Sequence, residues 1–126
     1  MGKVLGIIAE YNPFHNGHLY HLQESKKQTG STYTVAIMSG NFTQRGSTSI
    51  IDKWSKAEIA LYCGVDLVIE LPVLYSISSA ENFADGAIKI LDSLKVVDYL
   101  SFGAETADIP ILQQIAKVLY TEPRQY

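Results

Sequence analysis

The sequence predicts an α/β fold, an open, doubly wound sheet of parallel strands. Short apolar runs rich in β-branched residues alternate with segments of helical periodicity, as expected when strands are buried on both faces and joined by helices. The clearest helical signal repeats apolar residues at i, i+3, i+4, i+7 and i+8, at Ala80, Phe83, Ala84, Ala87, Ile88 and Leu91. Right-handed crossovers between successive strands follow from this alternation.

Four runs are predicted to form strands: Lys3–Ala9, Tyr33–Met38, Asp66–Leu71 and Val97–Phe102. The helices that follow them are predicted at Gly17–Thr29, at Asp52–Cys63, from the capping-box sequence Ser78-Ser79-Ala80-Glu81 onwards, and at Ile109–Tyr120.

Helix ends are indicated by capping residues. Asn16 and Asp52 are predicted N-caps, and Gly30 and Gly64 are predicted to end the same two helices. The inward face of the second helix is predicted to carry Trp54, Ala57 and Leu61.

Bulk properties indicate one soluble domain over residues 1–126. No apolar stretch approaches the roughly 20 residues that span a membrane, and no signal-peptide pattern precedes the first strand. The single cysteine, Cys63, cannot form an internal disulfide and is expected to pack as a small hydrophobe, which favours a cytoplasmic location. The net charge of −3 lacks the basic excess typical of nucleic-acid-binding domains.

Ligands of open α/β sheets bind beyond the carboxyl ends of the strands. Parallel strands would gather four segments at that edge: Glu10–His18, Ser39–Arg45, Glu70 and Phe102–Glu105.

A nucleotide-phosphate site is predicted where the first strand meets the first helix. A strand, a tight loop and a helix N-terminus are a common arrangement for binding phosphate groups. His15 and His18 flank Gly17, so that two imidazoles could converge on one anion while the glycine allows close approach. The hypothesis is that both histidines stabilise charge on the phosphates of a nucleoside triphosphate during adenylyl transfer.

Two other interpretations of the histidines are open. Surface or structurally satisfied histidines need no ligand. His15, His18 and His21 could ligate zinc, but helical zinc pairs more often use i, i+4 spacing with an acidic third ligand. Magnesium arriving with the nucleotide is favoured, because magnesium prefers oxygen ligands and phosphates.

Three carboxylates, Glu10, Glu70 and Glu105, also follow or end strands at this edge. They could coordinate metal or orient a second substrate, or else cap loop amides or pair with Arg45 or Lys53. Gly103 could let adenine lie against the backbone or could form an ordinary turn.

The loop from Ser39 to Gly46 is rich in polar and flexible residues, as functional loops often are. Arg45, Lys53 and Lys56 would give it positive charge, and Phe42 offers a face on which a base could stack. The alternative is a solvated, moderately basic loop without a specific role.

The stretch His15-Asn16-Gly17-His18 resembles the HxGH signature of the nucleotidyltransferase superfamily. A more detailed resemblance is to the bacterial tRNA(Met) cytidine acetate ligase family, whose opening is similar to the whole run from Ala9 to Leu22. Further similar stretches, in matching order, are Met38–Phe42, Gln44–Gly46, Asp52–Trp54, Gly64–Pro72 and Ser101–Gly103.

The resemblance implies a Rossmann-like fold of the nucleotidyltransferase type and activation of acetate with ATP to an acetyl-adenylate. The acetyl group would then pass to N4 of the wobble cytidine of elongator tRNA(Met). His15 and His18 would be catalytic. The implied ATP-binding residues are Ile7, Ile8, Ala9, Glu10, Tyr11, Asn12, Pro13, Phe14, His15, Asn16, Gly17, His18, Leu19, Tyr20 and Gly103.

Two departures refine this expectation. Small-metabolite transferases usually carry the tripeptide Gly-Thr-Phe or Gly-Ser-Phe before the signature. This sequence has Ala9-Glu10-Tyr11 there, which argues against that group. Members of the family also continue well past the position of Tyr126, and their second, Arg-containing signature is absent here. We therefore expect the N-terminal part of a longer enzyme, with most tRNA contacts elsewhere and with strand edges that could support a homo-oligomer.

Two alternative functions stay open at this point. One is a small-molecule adenylyltransferase of the same superfamily, which would use a small phosphorylated acceptor. The other is a nucleotide-binding module without catalysis, which would bind ATP without forming pyrophosphate.

Overall fold

The computed structural model describes residues 2–11, 14–42, 48–77, 79–102 and 115–117. Five strands form one sheet: β1 (Val4–Ala9), β2 (Tyr33–Ser39), β3 (Leu67–Leu71), β4 (Tyr99–Phe102) and β5 (Ile115–Lys117). The helices are α1 (Asn16–Thr29), α2 (Lys53–Tyr62), α3 (Val73–Ser76) and α4 (Ala80–Leu94).

The strand order is β3-β2-β1-β4-β5. Strands β1 to β4 pair in parallel, with Ala9 opposite Met38 and Ile8 opposite Phe102. The chain thus runs outward from β1 to β3 and then returns to the other side of β1. The predicted doubly wound α/β fold is confirmed, and β1 lies at the point where the strand order reverses.

The prediction of a last helix over Ile109–Tyr120 is wrong at residues 115–117, and its other residues lie outside the described ranges. Those three residues form β5, which pairs antiparallel with β4. Pairing satisfies backbone groups that β4 would otherwise present as an open edge, and such tertiary pairing overrides local helix propensity.

Buried side chains pack on both faces of the sheet. On one face they come from the central strands and from α1 and α2: Leu5, Ile7, Leu22, Ala36, Met38, Ala60 and Val65. On the other they come mainly from α4 and the strands it covers: Val35, Ile37, Phe83, Ala87, Leu91, Val97 and Leu100. At Gly6, a Cβ would lie 2.9 Å from Leu91, so the glycine permits close packing of α4 on β1.

Several predicted helix ends are confirmed. Gly30 ends α1 in the left-handed conformation, and Asp52 caps α2 by accepting a hydrogen bond from the Ser55 amide. Cys63, partly buried, follows α2 directly. The predicted start of the α4 capping box is wrong by one residue. The N-cap is Ser79, whose side chain accepts from the Asn82 amide.

The predicted inward face of α2 is wrong at two of three positions. Trp54 is 76% exposed and Leu61 is 46% exposed, whereas Lys56 and Ala60 are buried. The helix is rotated so that the Lys56 ammonium reaches the carbonyl of Glu10 below it. On α4, Phe83, Ala87 and Leu91 are buried as predicted, but Ile88 is 41% exposed.

Helix α3 was not predicted, because four residues are too short to show a periodic pattern. Among the described helices, none is both long and apolar enough to cross a bilayer.

Replacing Leu91, which is 1% exposed, by alanine should lower the free energy of unfolding by about 2–5 kcal/mol through lost burial and the cavity left behind. The matched control is Val96→Ala at a 57% exposed position, where a change within about 0.5 kcal/mol is expected. Urea denaturation measures both, and equal losses would contradict the assignment of Leu91 to the core.

Candidate nucleotide-binding site

The backbone turns sharply where β1 leads into α1. Tyr11 adopts φ +51°, a left-handed conformation that is uncommon for a residue with a side chain. Its ring is only 2% exposed and contacts Phe14 and His18, with ring centroids 4.6 and 5.0 Å away. The buried ring anchors the chain at the point where β1 ends.

The first turn of α1 is capped by two imidazoles. His15 is the N-cap, and its Nδ1 accepts from the Gly17 amide at 3.0 Å. His18 reaches back, and its Nδ1 accepts from the His15 amide at 3.1 Å. The prediction of Asn16 as N-cap is therefore wrong by one residue, because His15 is the extended residue before the helix and Asn16 is already helical.

These two hydrogen bonds determine the tautomer of each ring. A neutral imidazole that accepts at Nδ1 carries its proton on Nε2. The rings stack with centroids 3.9 Å apart. Both histidines therefore hold an Nε2–H donor beside a helix N-terminus, where the helix dipole also favours an anion.

Gly17 provides the room for this arrangement. A Cβ at this position would lie 2.8 Å from Cε1 of His15 and 3.1 Å from its Nδ1. Any larger residue would push the His15 ring away from the helix N-terminus. The glycine between the histidines thus leaves the His15 ring in its capping position.

His18 is held neutral. Burial, followed by the neighbouring charges of His15 and His21, lowers the pKa of His18 to about 4. At neutral pH the ring is therefore a neutral hydrogen-bond donor.

His21 contacts strand β4. It is buried, and its Nε2 lies 2.8 Å from Oγ of Ser101 on β4. Ser101 in turn lies 2.7 Å from Oγ of Ser25. The third histidine therefore joins α1 to β4 through a buried polar network.

Lys56 supports the loop from below. Its side chain is completely buried, and Nζ donates to the carbonyl of Glu10 at 3.1 Å. Burial lowers the pKa of Lys56, while the charges of Glu10 and Glu70 oppose that shift. Lys56 is predicted to give positive charge to the loop from Ser39 to Gly46, and the structure instead places its ammonium on the Glu10 carbonyl after β1.

Lys53, one turn earlier in α2, forms an ion pair with Glu70 at the end of β3, with 3.0 Å between Nζ and Oε1. The Lys53 amide donates to Oδ1 of Asn41 at 2.9 Å. Of the two interpretations of Glu70, pairing with Lys53 is the one observed. Glu105 and Arg45 lie outside the described residues.

The residues implied to bind ATP are not equally accessible. His15, Asn16, Gly17 and Tyr20 are exposed, and Ile8, Ala9, Glu10, Phe14, His18 and Leu19 are partly buried. Ile7 and Tyr11 are buried in the core, so their side chains support the site from beneath. Asn12, Pro13 and Gly103 lie outside the described residues, although Phe102, the neighbour of Gly103, pairs with Ile8.

Sequence reasoning missed the roles of Lys56 and Ser101. The spacing of Lys56 and Ala60, i and i+4 on one helix face, was the available signal for an inward lysine. Ser101 gave no local signal, because its contact with His21 depends on the strand order.

Comparison with known proteins agrees with this geometry. A family model described as HIGH Nucleotidyl Transferase matches residues 2–126. A tRNA(Met) cytidine acetate ligase of Thermoanaerobacter sp. (strain X514) is 62% identical over 123 residues, or 98% of this chain and 31% of that protein. One from Caldanaerobacter subterraneus is 62% identical over 124 residues, with the same coverage.

Two solved structures are also similar. Thermotoga maritima TmcAL bound with alpha-thio ATP superposes with a TM-score of 0.80 at 54% identity, over 85% of this chain and 26% of that one. The apo form gives a TM-score of 0.79 at 54% identity, over 88% and 26%.

The chain thus spans about a third of the length of the relatives it matches. The family model covers nearly all of the sequence. The strand order, the helix-N-terminal histidine pair and this match lead to one conclusion: the chain belongs to the HIGH nucleotidyl transferase family.

Proposed function

We propose that the loop between β1 and α1 binds ATP, with His15 and His18 as donors to its phosphates. The observation that carries the proposal is the imidazole cap, which leaves two Nε2–H groups beside the N-terminus of α1. Neutral donors held in place need little reorganisation when charge develops on a phosphate. The similarity to a TmcAL structure bound with alpha-thio ATP supports the same ligand.

The activity that we propose for the whole protein is that of an ATP-dependent tRNA(Met) cytidine acetate ligase. ATP would activate acetate as an acetyl-adenylate, and the acetyl group would pass to N4 of the wobble cytidine of elongator tRNA(Met), giving N4-acetylcytidine. The support is the name shared by relatives that are 62% identical over 98% of this chain. A cytoplasmic location would follow from a tRNA substrate.

In this reaction, the residues of this chain would position ATP and stabilise the charge on its phosphates. His15 and His18 would donate to phosphate oxygens, Tyr11 would support the loop, and Lys56 would fix the Glu10 carbonyl. Placing the acetate oxygen in line with the α-phosphate would account for much of the rate gain. Magnesium would arrive with the nucleotide, and Glu10, within the loop, is a carboxylate suited to share it.

In the full natural protein, His18→Ala should lower acetate-dependent ATP–pyrophosphate exchange about a hundredfold or more, because one donor to the developing charge is removed. Gln23→Ala, an exposed change on the same helix, is the control and should leave exchange unchanged.

Undiminished exchange in a folded His18→Ala protein would contradict the role of the histidine. If the wild-type protein binds ATP without exchange, the chain belongs to a nucleotide-binding module. If exchange requires a small phosphorylated acceptor in place of acetate, the adenylyltransferase alternative holds.

ATP should also raise the pKa of His18 from its value of about 4 in the free protein. Phosphate charges within about 4–6 Å favour the imidazolium, which typically raises a pKa by about one unit or more. Imidazole NMR signals followed through a pH titration measure the shift. Adenosine, which lacks phosphates, is the control ligand. An unchanged His18 pKa at saturating ATP would place the phosphates elsewhere.

A further inference from the structure

A cavity lies at the carboxyl ends of β2 and β3. Its volume is about 180 Å³. Its lining comes from the end of β2, the N-terminus of α2, the end of β3 and the short helix α3: Gly40, Asn41, Phe42, Lys53, Glu70, Val73 and Ser76. Nothing in the imidazole cap uses these residues.

The walls combine one flat apolar face with charged and amide groups. The Phe42 ring is 44% exposed. Glu70 and Lys53 place a carboxylate and an ammonium 3.0 Å apart, and both side chains are partly exposed. Asn41 also lines the cavity, and its Oδ1 accepts from the Lys53 amide. An aromatic face beside such groups is the usual composition of a site for a single nucleobase.

Gly40 determines where the Glu70 carboxylate lies. A Cβ at this position would collide with Oε2 of Glu70. The absence of a side chain therefore leaves room for the carboxylate at the end of β2, while Oε1 pairs with Lys53. A carboxylate at the wall of the cavity is an acceptor that can select a ligand with a hydrogen-bond donor.

The cavity and the phosphate-binding loop lie two strands apart at the same edge of the sheet. Met38, near the end of β2, pairs with Ala9 at the end of β1, and Glu70 pairs with Met38. Two strand spacings correspond to roughly 10 Å. Lys53 and Lys56, one turn apart on α2, contact the Glu70 carboxylate and the Glu10 carbonyl respectively, so the two sites share one helix.

We propose that this cavity binds the cytosine that receives the acyl group, with the base stacked on Phe42 and its exocyclic amine donating to Glu70. The inference rests on the function proposed above, because the acceptor must reach an activated acyl group at the loop. A carboxylate accepts from N4 of cytosine, whereas it would face the O4 acceptor of uracil unfavourably. The base must be unstacked to enter, as is usual in single-stranded RNA recognition.

The test compares two half-reactions in the full natural protein. Acetate-dependent ATP–pyrophosphate exchange reports activation, and transfer of labelled acetyl groups to a tRNA(Met) transcript reports the second step. The variants are Glu70→Gln and Phe42→Ala, and the control is Glu58→Gln on the exposed face of α2. Phe42 is partly exposed in a loop, so its truncation should leave the fold intact.

Both variants should keep exchange within about twofold of wild type and lose acetyl transfer by about tenfold or more, the scale of a lost base contact. The control should retain both steps. Acetyl transfer at the wild-type rate in Glu70→Gln and Phe42→Ala would overturn the inference. Loss of exchange in both variants would also overturn it, because the cavity would then serve acetate or ATP. Absence of exchange in the wild-type protein would instead remove the proposed function.

Discussion

The hydrogen bond from Lys56 to the Glu10 carbonyl is the contact on which the loop between β1 and α1 depends. Lys56 is completely buried. A buried ammonium without a partner is costly, so the Lys56 side chain is held where it can donate to the Glu10 carbonyl. The bond ties α2 to the end of β1, exposes Trp54 on the opposite face of the helix, and holds the chain as it enters the left-handed turn at Tyr11. The rotation of α2 and the shape of the loop therefore depend on the same contact.

In the imidazole cap, the two nitrogens of each histidine ring have different roles. Nδ1 satisfies backbone donors of the first turn of α1, and Nε2–H is left for a ligand. Protonation at Nδ1 would break the cap, which gives the site a physical reason to keep His18 neutral beyond burial alone. Gly17 is necessary because the His15 ring occupies the space that a Cβ would fill.

Much of the fold could be predicted from the sequence, because periodicity identifies elements that are long enough to repeat. The four parallel strands, Gly30 and the Asp52 cap are local signals of that kind. Strand β5 could not be predicted, since its three residues form a strand only through pairing with β4. The histidine pair was identified from its motif, but the tautomers follow only from the cap geometry. The inward direction of Lys56 depended on helix rotation, which tertiary contacts determine.

The most direct test of the loop's dependence on Lys56 is isothermal titration of ATP into Lys56→Met, with Lys27→Met on the exposed face of α1 as control. Methionine preserves the buried volume but removes the donor to the Glu10 carbonyl. Circular dichroism and thermal unfolding would confirm that both variants fold. An affinity at least about tenfold weaker in Lys56→Met alone is predicted from the loss of a charged hydrogen bond. Unchanged ATP affinity in a folded Lys56→Met protein would show that the loop holds its shape without this contact.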